Sequence, residues 1–129
     1  MCDLPALDVV INGTPDHWHT LVNLRALRSG KDVYSEKPLT LTIDEGKHLV
    51  AAVKETGRIL QTGSQQRSDK TFRLACELVR NGRVGKVERV RVWLPMGLHG
   101  GPFATQPVPN GLKWDFWQGQ TRSTAYVPE

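Results

Sequence analysis

Short apolar runs alternate with stretches of helical spacing in the first part of the chain. Val9–Ile11 is continuous and apolar, as strands buried on both faces are, and a turn at Gly13-Thr14-Pro15 ends it. Apolar residues recur at helical spacing over residues 17–29, and Gly30 stands where a left-handed cap is expected. Asp32–Ser35 has strand character again. The order strand, helix, strand predicts a parallel sheet.

The next segment predicts a further helix and strand. Thr42 and Glu45 have the spacing of a capping box, and the helix they begin is predicted to end at Gly57. Arg58–Thr62 is the following predicted strand. The polar loop Gly63–Ser68 leaves its carboxyl end, so we expect this loop on the edge of the sheet where the other strands end.

The pattern changes after a third predicted helix. That helix is capped by Ser68 or Asp69, and its predicted buried face holds Phe72, Ala75, Cys76 and Val79. Strict alternation over Val87–Leu94 is typical of a half-exposed strand in an antiparallel sheet. The dense aromatic residues further on are predicted to be buried as packing anchors: Trp114, Phe116 and Trp117. Residues 85–129 are therefore predicted to begin a second domain.

Composition sets limits on the class of protein. The chain has 129 residues and is 39% hydrophobic, which suffices for one core. Its two cysteines suggest no disulfide framework, so a reducing compartment is expected. The first fifteen residues do not have the pattern of a secretory signal, and no segment approaches a membrane span. We expect a cytoplasmic protein, with an export signal on an N-terminal extension left open.

Positive charge is concentrated in the middle of the chain. Between Arg58 and Arg91 nine basic residues stand against three acidic ones, within a formal net charge of +4 for the whole chain. Such a patch can bind a phosphate-bearing ligand or a nucleic acid, but no nucleic-acid-binding motif accompanies it, which favours a solvated surface. His17 and His19 diverge near a helix start and have no third ligand at metal-site spacing, so no metal is expected.

Lys37 is the clearest candidate for chemistry. It leaves the carboxyl end of the strand Asp32–Ser35, and ligands of open α/β sheets bind at that edge. When a hydroxyl is oxidised by hydride transfer, its proton must also leave, so a donor or acceptor must lie beside the oxygen. Lys37 can serve as a charged donor that orients this oxygen, or as a base where its surroundings favour the neutral amine.

Five motifs together resemble the glucose-fructose oxidoreductase, inositol dehydrogenase and rhizopine catabolism (Gfo/Idh/MocA) family, bacterial branch. The motifs span nearly the whole chain in the family's order: Thr14-Pro15-Asp16-His17-Trp18-His19, Gly30-Lys31-Asp32-Val33-Tyr34, Glu36-Lys37-Pro38-Leu39, Gly63-Ser64-Gln65-Gln66-Arg67-Ser68-Asp69 and Trp114-Asp115-Phe116-Trp117-Gln118-Gly119. The resemblance implies an NAD(P)-dependent sugar or polyol oxidoreductase that is a homo-oligomer at full length. Residues 1–84 would be the later half of a Rossmann domain, a doubly wound parallel sheet. Residues 85–129 would begin an α+β domain with an open antiparallel sheet.

The same resemblance implies roles for particular residues. Thr14, Pro15, His19, Glu36 and Lys37 would contact NAD or NADP, with Lys37 also catalytic and substrate-binding. The remaining implied substrate-binding residues are Gln65, Gln66 and Arg67. Many relatives carry more arginine at this loop, so its two glutamines favour a neutral sugar or polyol over an anionic substrate. Pro38 would fix the direction of the chain, and a cis bond before it is an expectation of the resemblance.

Two pieces of the family pattern have no counterpart in these 129 residues. There is no Gly-x-Gly-x-x-Gly phosphate loop, and the Asp-x-x-x-His element that supplies the family's acid-base histidine would lie beyond Glu129. We therefore expect a fragment of a longer protein, inactive alone. The alternatives are an NAD-dependent glycoside hydrolase of the same fold, against which Lys37 argues, and a noncatalytic remnant or binding module.

Overall fold

The computed structural model describes residues 2–97 and 100–128. These residues pack as two compact units, of which one comprises residues 2–64 and 119–121. The other comprises residues 65–118 and 122–128, without the two undescribed positions. None of the helices in the described residues has the length and apolar character needed to cross a bilayer.

The first unit contains a three-stranded parallel sheet. Its strands are β1 (Val9–Asn12), β2 (Asp32–Ser35) and β3 (Leu60–Thr62), in the order β1-β2-β3. The predicted parallel α/β arrangement is therefore confirmed. β3 begins later than predicted because the Ile59 amide donates to the Asp32 carboxylate at 2.9 Å instead of to a strand carbonyl. All three strands end at one edge of the sheet.

Two helices cover one face of this sheet. They are α1 (His19–Arg28), which follows a 3₁₀ turn at Asp16–Trp18, and α2 (Ile43–Thr56). The predicted capping box is present, since the Thr42 hydroxyl accepts from the Glu45 amide at 3.2 Å and the Glu45 carboxylate accepts from the Thr42 amide at 3.1 Å. The predicted left-handed glycines also follow the two helices, with φ of 75° at Gly30 and 64° at Gly57.

The core of the unit lies between the sheet and these helices. It consists of Val10, Ala26, Leu27, Val33, Leu49 and Ala52, each at most 3% exposed. Residues that alternate with Val10 on β1 point to the other face, where Val9 is 51% and Ile11 is 79% exposed. The expectation that β1 is buried on both faces is therefore wrong for the described residues, because both packed helices lie on one side.

The second unit has two helices, α3 (Lys70–Arg80) and α4 (Trp114–Gln118). Asp69 caps α3, as one of the two predicted candidates, by accepting from the Thr71 amide at 2.8 Å and the Phe72 amide at 3.2 Å. The prediction that Cys76 is a core thiol is wrong, since Cys76 is exposed. The rest of the predicted buried face is exposed as well, because no element of this unit packs over it in the described residues.

The predicted strand over Val87–Leu94 does not form either. A strand needs a neighbour for its hydrogen bonds, and these residues pair with none in the described chain, so Val90 is 77% exposed. Trp114 does pack, stacked on Trp117 at 4.9 Å between ring centroids and edge-on to Tyr126 at 5.2 Å. Phe116 and Trp117, however, are 70% and 46% exposed, so their predicted burial is wrong. The assignment of residues 1–84 and 85–129 to two functional domains stays a prediction.

Candidate functional site

The ends of the three strands are tied together at the carboxyl edge of the sheet. The Glu36 amide, just after β2, donates to the carbonyl of Asn12 at the end of β1 at 2.9 Å. The Gly63 amide, just after β3, donates to the carbonyl of Ser35 at 2.7 Å. The loops that carry Thr14, Glu36 and Gly63 therefore begin from fixed, neighbouring positions.

Three buried polar side chains, hydrogen-bonded in series, lie beneath this edge of the sheet. The Asn12 amide nitrogen donates to the Asn23 side-chain oxygen at 2.7 Å, and the Asn23 amide nitrogen donates to the Ser35 hydroxyl at 3.0 Å. All three side chains are at most 1% exposed. Buried amides are stable only when their donors and acceptors are paired. The three side chains therefore connect β1, α1 and β2 in one defined arrangement.

Asn12 also fixes the turn that follows its own strand. Its side-chain oxygen accepts from the Thr14 hydroxyl at 2.7 Å and from the Thr14 amide at 3.2 Å. Its amide nitrogen donates to the carbonyl of His19 at 3.1 Å, which anchors the first residue of α1. The Thr14 hydroxyl, predicted to face a cofactor, thus donates to a neighbouring amide in this structure.

His19 lies beneath the same turn and is 1% exposed. Its Nε2 is 2.7 Å from the carbonyl oxygen of Thr14, and its Nδ1 is 2.6 Å from the carbonyl oxygen of Pro38. Both ring nitrogens therefore contact main-chain carbonyl oxygens. The predicted cofactor contact of His19 stays a prediction, and the geometry gives the ring a contact with two loops.

Lys37 is exposed at this edge, in the loop that follows β2. The peptide bond between Lys37 and Pro38 is cis, as the family resemblance led us to expect. Beside it, the Lys37 amide donates to the Glu36 carboxylate over a long 3.4 Å. A Cβ at Gly63 would lie 3.2 Å from the Tyr34 ring and 3.3 Å from the Glu36 carboxyl carbon, so a side chain there would require a small shift of Tyr34 and Glu36.

The predicted substrate loop belongs to the second unit. Gln65, Gln66 and Arg67 lie in a 3₁₀ turn at Gln65–Ser68. Within that unit Gln66 and Arg67 line an open surface cavity of about 460 Å³, whose other lining residues are Phe72, Arg73, Cys76 and Arg80. Their role towards substrate stays a prediction.

Sequence reasoning missed Asn12, Asn23 and Ser35. A signal was available at Asn23, which occupies the same helical face as Leu27, four residues on, and so places an amide where the pattern calls for an apolar side chain. Within the described parts of the chain, no three His, Cys, Asp or Glu side chains are grouped as metal ligands are.

Parallel strands connected by helices, with polar loops at the carboxyl edge, place this unit in the α/β class, whose ligands bind at that edge. A family described as an oxidoreductase family with an NAD-binding Rossmann fold, Gfo/Idh/MocA, matches residues 1–64. The chain belongs to this family through that segment.

Named relatives agree with this assignment. The chain is 39% identical over 82 residues to scyllo-inositol 2-dehydrogenase (NAD(+)) of Bacillus subtilis, which covers 64% of this chain and 24% of that protein. It is 33% identical over 100 residues to 1,5-anhydro-D-fructose reductase of Ensifer adhaerens, covering 74% of this chain and 30% of that protein.

Solved structures share the fold. Myo-inositol 2-dehydrogenase from Lactobacillus plantarum superposes with a TM-score of 0.63 at 31% identity, over 67% of this chain and 26% of that one. The apo scyllo-inositol dehydrogenase of Lactobacillus casei gives 0.60 at 31% identity, over 66% of this chain and 26% of its own. The chain thus spans about a quarter of the length of these relatives.

Proposed function

We propose that this chain is part of an NAD(P)-dependent oxidoreductase that transfers a hydride between a nicotinamide cofactor and a hydroxyl group of a sugar or polyol. The observation that carries the proposal is the exposed Lys37 at the carboxyl edge of the parallel sheet, in the loop that also contains Glu36 and cis-Pro38. The names of the relatives support an inositol or a related cyclic polyol as the substrate class. A small molecule of this kind, and not a nucleic acid, is the proposed partner.

The residues present fit one end of the cofactor. Glu36 and Lys37 offer a carboxylate and an ammonium group at the edge where ligands of such sheets bind, which suits the polar nicotinamide ribose and a substrate hydroxyl. No glycine-rich phosphate loop occurs in the 129 residues, so this chain provides no such cradle for the pyrophosphate. When bound, the nicotinamide ring accepts or returns the hydride.

The residues of the chain supply orientation and charge. We assign to the Lys37 ammonium a hydrogen bond to the reacting oxygen, which holds the hydroxyl in place and stabilises negative charge as its proton leaves. We assign to the Glu36 carboxylate either a hydrogen bond to the cofactor ribose or an ion pair with Lys37. Asn12 and Ser35, buried below, keep the two strand ends from shifting.

An activity assay tests the proposal. The product of the gene that encodes this chain, with all flanking sequence that gene supplies, is incubated with NAD or NADP and a panel of inositols, sugars and glycosides. We expect NAD(P)H to form with at least one inositol or sugar. Lys37→Met should lower kcat by about 10²-fold or more, since it removes a donor aimed at developing charge.

Lys47→Met is the matched control, because Lys47 is an exposed lysine of α2 with a weak 3.7 Å ion pair to Asp44. It should leave the rate unchanged. Glycoside cleavage without net NAD(P)H formation, or no turnover of any panel member, would overturn the proposal. Equal rates for Lys37→Met and Lys47→Met would remove Lys37 from the chemistry.

A further inference from the structure

His19 contacts two separate loops through its two ring nitrogens. Its Nδ1 lies 2.6 Å from the Pro38 carbonyl oxygen, directly after Lys37, and its Nε2 lies 2.7 Å from the Thr14 carbonyl oxygen. Both distances are within the range of good hydrogen bonds. The two loops otherwise arise from different strands, so the ring is a bridge between them.

The ring nitrogens of His19 can donate to these loops in either tautomer. A carbonyl oxygen only accepts hydrogen bonds, whereas each tautomer of an imidazole has an N–H to donate. The tautomer decides which loop receives the N–H, and the second nitrogen lies within contact distance of the carbonyl oxygen of the other loop. In either case the ring donates to one loop and packs against the other.

We propose that His19 is a positioning residue that holds the Lys37–Pro38 peptide against the Thr14 turn. The ring is 1% exposed, so water competes little for its two nitrogens, and each nitrogen lies within hydrogen-bond distance of a loop carbonyl oxygen. A buried hydrogen bond is costly to leave unmade, so the ring favours the arrangement in which both loops stay beside it.

The bridge fixes the main chain from which the exposed Lys37 side chain extends. Lys37 has a long, flexible side chain, so the accuracy with which its ammonium group is placed depends on its main chain. That main chain is held on one side by the Glu36 amide bonded to Asn12, at 2.9 Å, and on the other by the Pro38 carbonyl bonded to His19. The bridge is independent of the proposed function, whereas its effect on hydride transfer depends on it.

Nitrogen-15 NMR of the His19 ring in the 129-residue chain tests the bridge directly, without cofactor or substrate. We expect a ring N–H that is protected from exchange with water and gives a cross-peak to the Thr14 or the Pro38 loop. The exposed His48, which has one carboxylate contact at 3.4 Å to Asp44, provides the comparison resonance in the same sample. A His19 ring whose N–H exchanges as fast as that of His48 would overturn the proposal.

Variants test the consequence for the site in the gene product used for the activity assay. His19→Phe keeps a ring of similar shape without donors, and we expect kcat to fall by about 10²-fold, as for a small misplacement of a catalytic group. His19→Gln retains one amide donor group and should recover part of that loss. A rise in KM with kcat unchanged, or no change in either constant, would contradict a positioning role.

Thr20→Val is the matched control for these variants. Thr20 follows His19 on α1, is 3% exposed, and its hydroxyl has no hydrogen-bond partner in the described residues. Replacing that hydroxyl by a methyl group should leave kcat unchanged. If wild-type protein shows the protected ring N–H of His19 but no turnover of the panel, the proposed function fails while the bridge stands.

Discussion

The sheet-bearing unit and the unit formed by residues 65–118 and 122–128 contain helices of similar local quality that end in different environments. In the first unit α1 and α2 place Leu27 and Leu49 in a core, at 0% and 2% exposure. In the second, α3 has its own cap at Asp69, yet Leu74 on the same helix stays 55% exposed. The formation of a capped amphipathic helix is thus determined by neighbouring residues, whereas its burial requires a second element that packs against its apolar face.

The candidate site follows the same division. Thr14, His19 and Lys37 lie where main chain is held by strand pairing and by buried side chains. Gln66 and Arg67, predicted for the same site, lie on an open surface of the other unit. A site is positioned most accurately on elements that are themselves fixed, and in the first unit strand pairing and buried side chains fix them.

Truncating one leucine in each unit should give the largest contrast. Leu27→Ala is expected to lower the free energy of unfolding by about 2–5 kcal/mol, because it leaves a cavity among close-packed neighbours. Leu74→Ala on α3 should change it by less than about 0.5 kcal/mol. Urea unfolding followed by the amide signals of α1 and α2 measures both. Equal losses would break the comparison.

Replacing a buried asparagine should give the second-largest difference in stability between the two units. Asn23→Ala removes partners of both Asn12 and Ser35, and we expect a loss of about 1–3 kcal/mol from buried polar groups left unpaired. Asn81→Ala is the control, because Asn81 donates to the Glu77 carbonyl at 2.8 Å from an exposed position. The same urea titration applies, and a neutral Asn23→Ala would show that these buried side chains do not support the strand ends.

Removing a helix cap should have a smaller effect, which still differs between the two units. Thr42→Ala should cost about 1 kcal/mol of global stability, since α2 is packed into the core and its cap is part of the cooperative structure. Asp69→Ala should instead lower the helicity of residues 70–80 and leave the unfolding midpoint of the first unit unchanged. Circular dichroism and amide exchange measure the two effects, and a shared midpoint shift would contradict the separation.

An exposed ion pair should give the smallest effect. Arg25 donates to the Asp3 carboxylate at 2.7 Å, and this hydrogen bond, with the charge of Arg25, holds the pKa of Asp3 below its ordinary value. A lowered pKa contributes stability above the unfolded-state value of about 3.9, and that contribution is lost as pH falls through the folded-state pKa. Asp3→Asn should therefore differ slightly from wild type at neutral pH and match it in acid.

Asp8→Asn, at another exposed carboxylate of the same segment, is the control for that pair. It should leave the urea midpoint unchanged at every pH. If Asp3→Asn and wild type differ equally at neutral and acid pH, the effect does not come from the ion pair.

Local signals predicted most of the first unit. Gly30, Gly57 and the Thr42–Glu45 box act within one or two turns, so they could be read from neighbouring residues alone. The strand at Asp32–Ser35 was predicted with its observed bounds, because Val33 and Tyr34 favour strands and follow the helix end at Gly30. Its parallel pairing followed from the order of elements.

Non-local features could not be predicted in this way. Whether Val90 and Phe116 are buried depends on a partner surface, and a one-dimensional pattern does not say whether that partner is present. The His19 bridge joins residues nineteen positions apart through side-chain and main-chain atoms, which no periodicity records. The sequence could place His19 near the site, whereas the fold alone assigns its two contacts.

Amide chemical-shift mapping of the labelled 129-residue chain with NAD or NADP at millimolar concentration tests whether the carboxyl edge of the sheet holds the nicotinamide. We expect saturable shifts confined to Gly13–Thr14 and Glu36–Lys37, weakened in Lys37→Met and retained in Lys47→Met. No saturable shift, or shifts centred on α3, would contradict the assignment of the carboxyl edge of the sheet as the nicotinamide site.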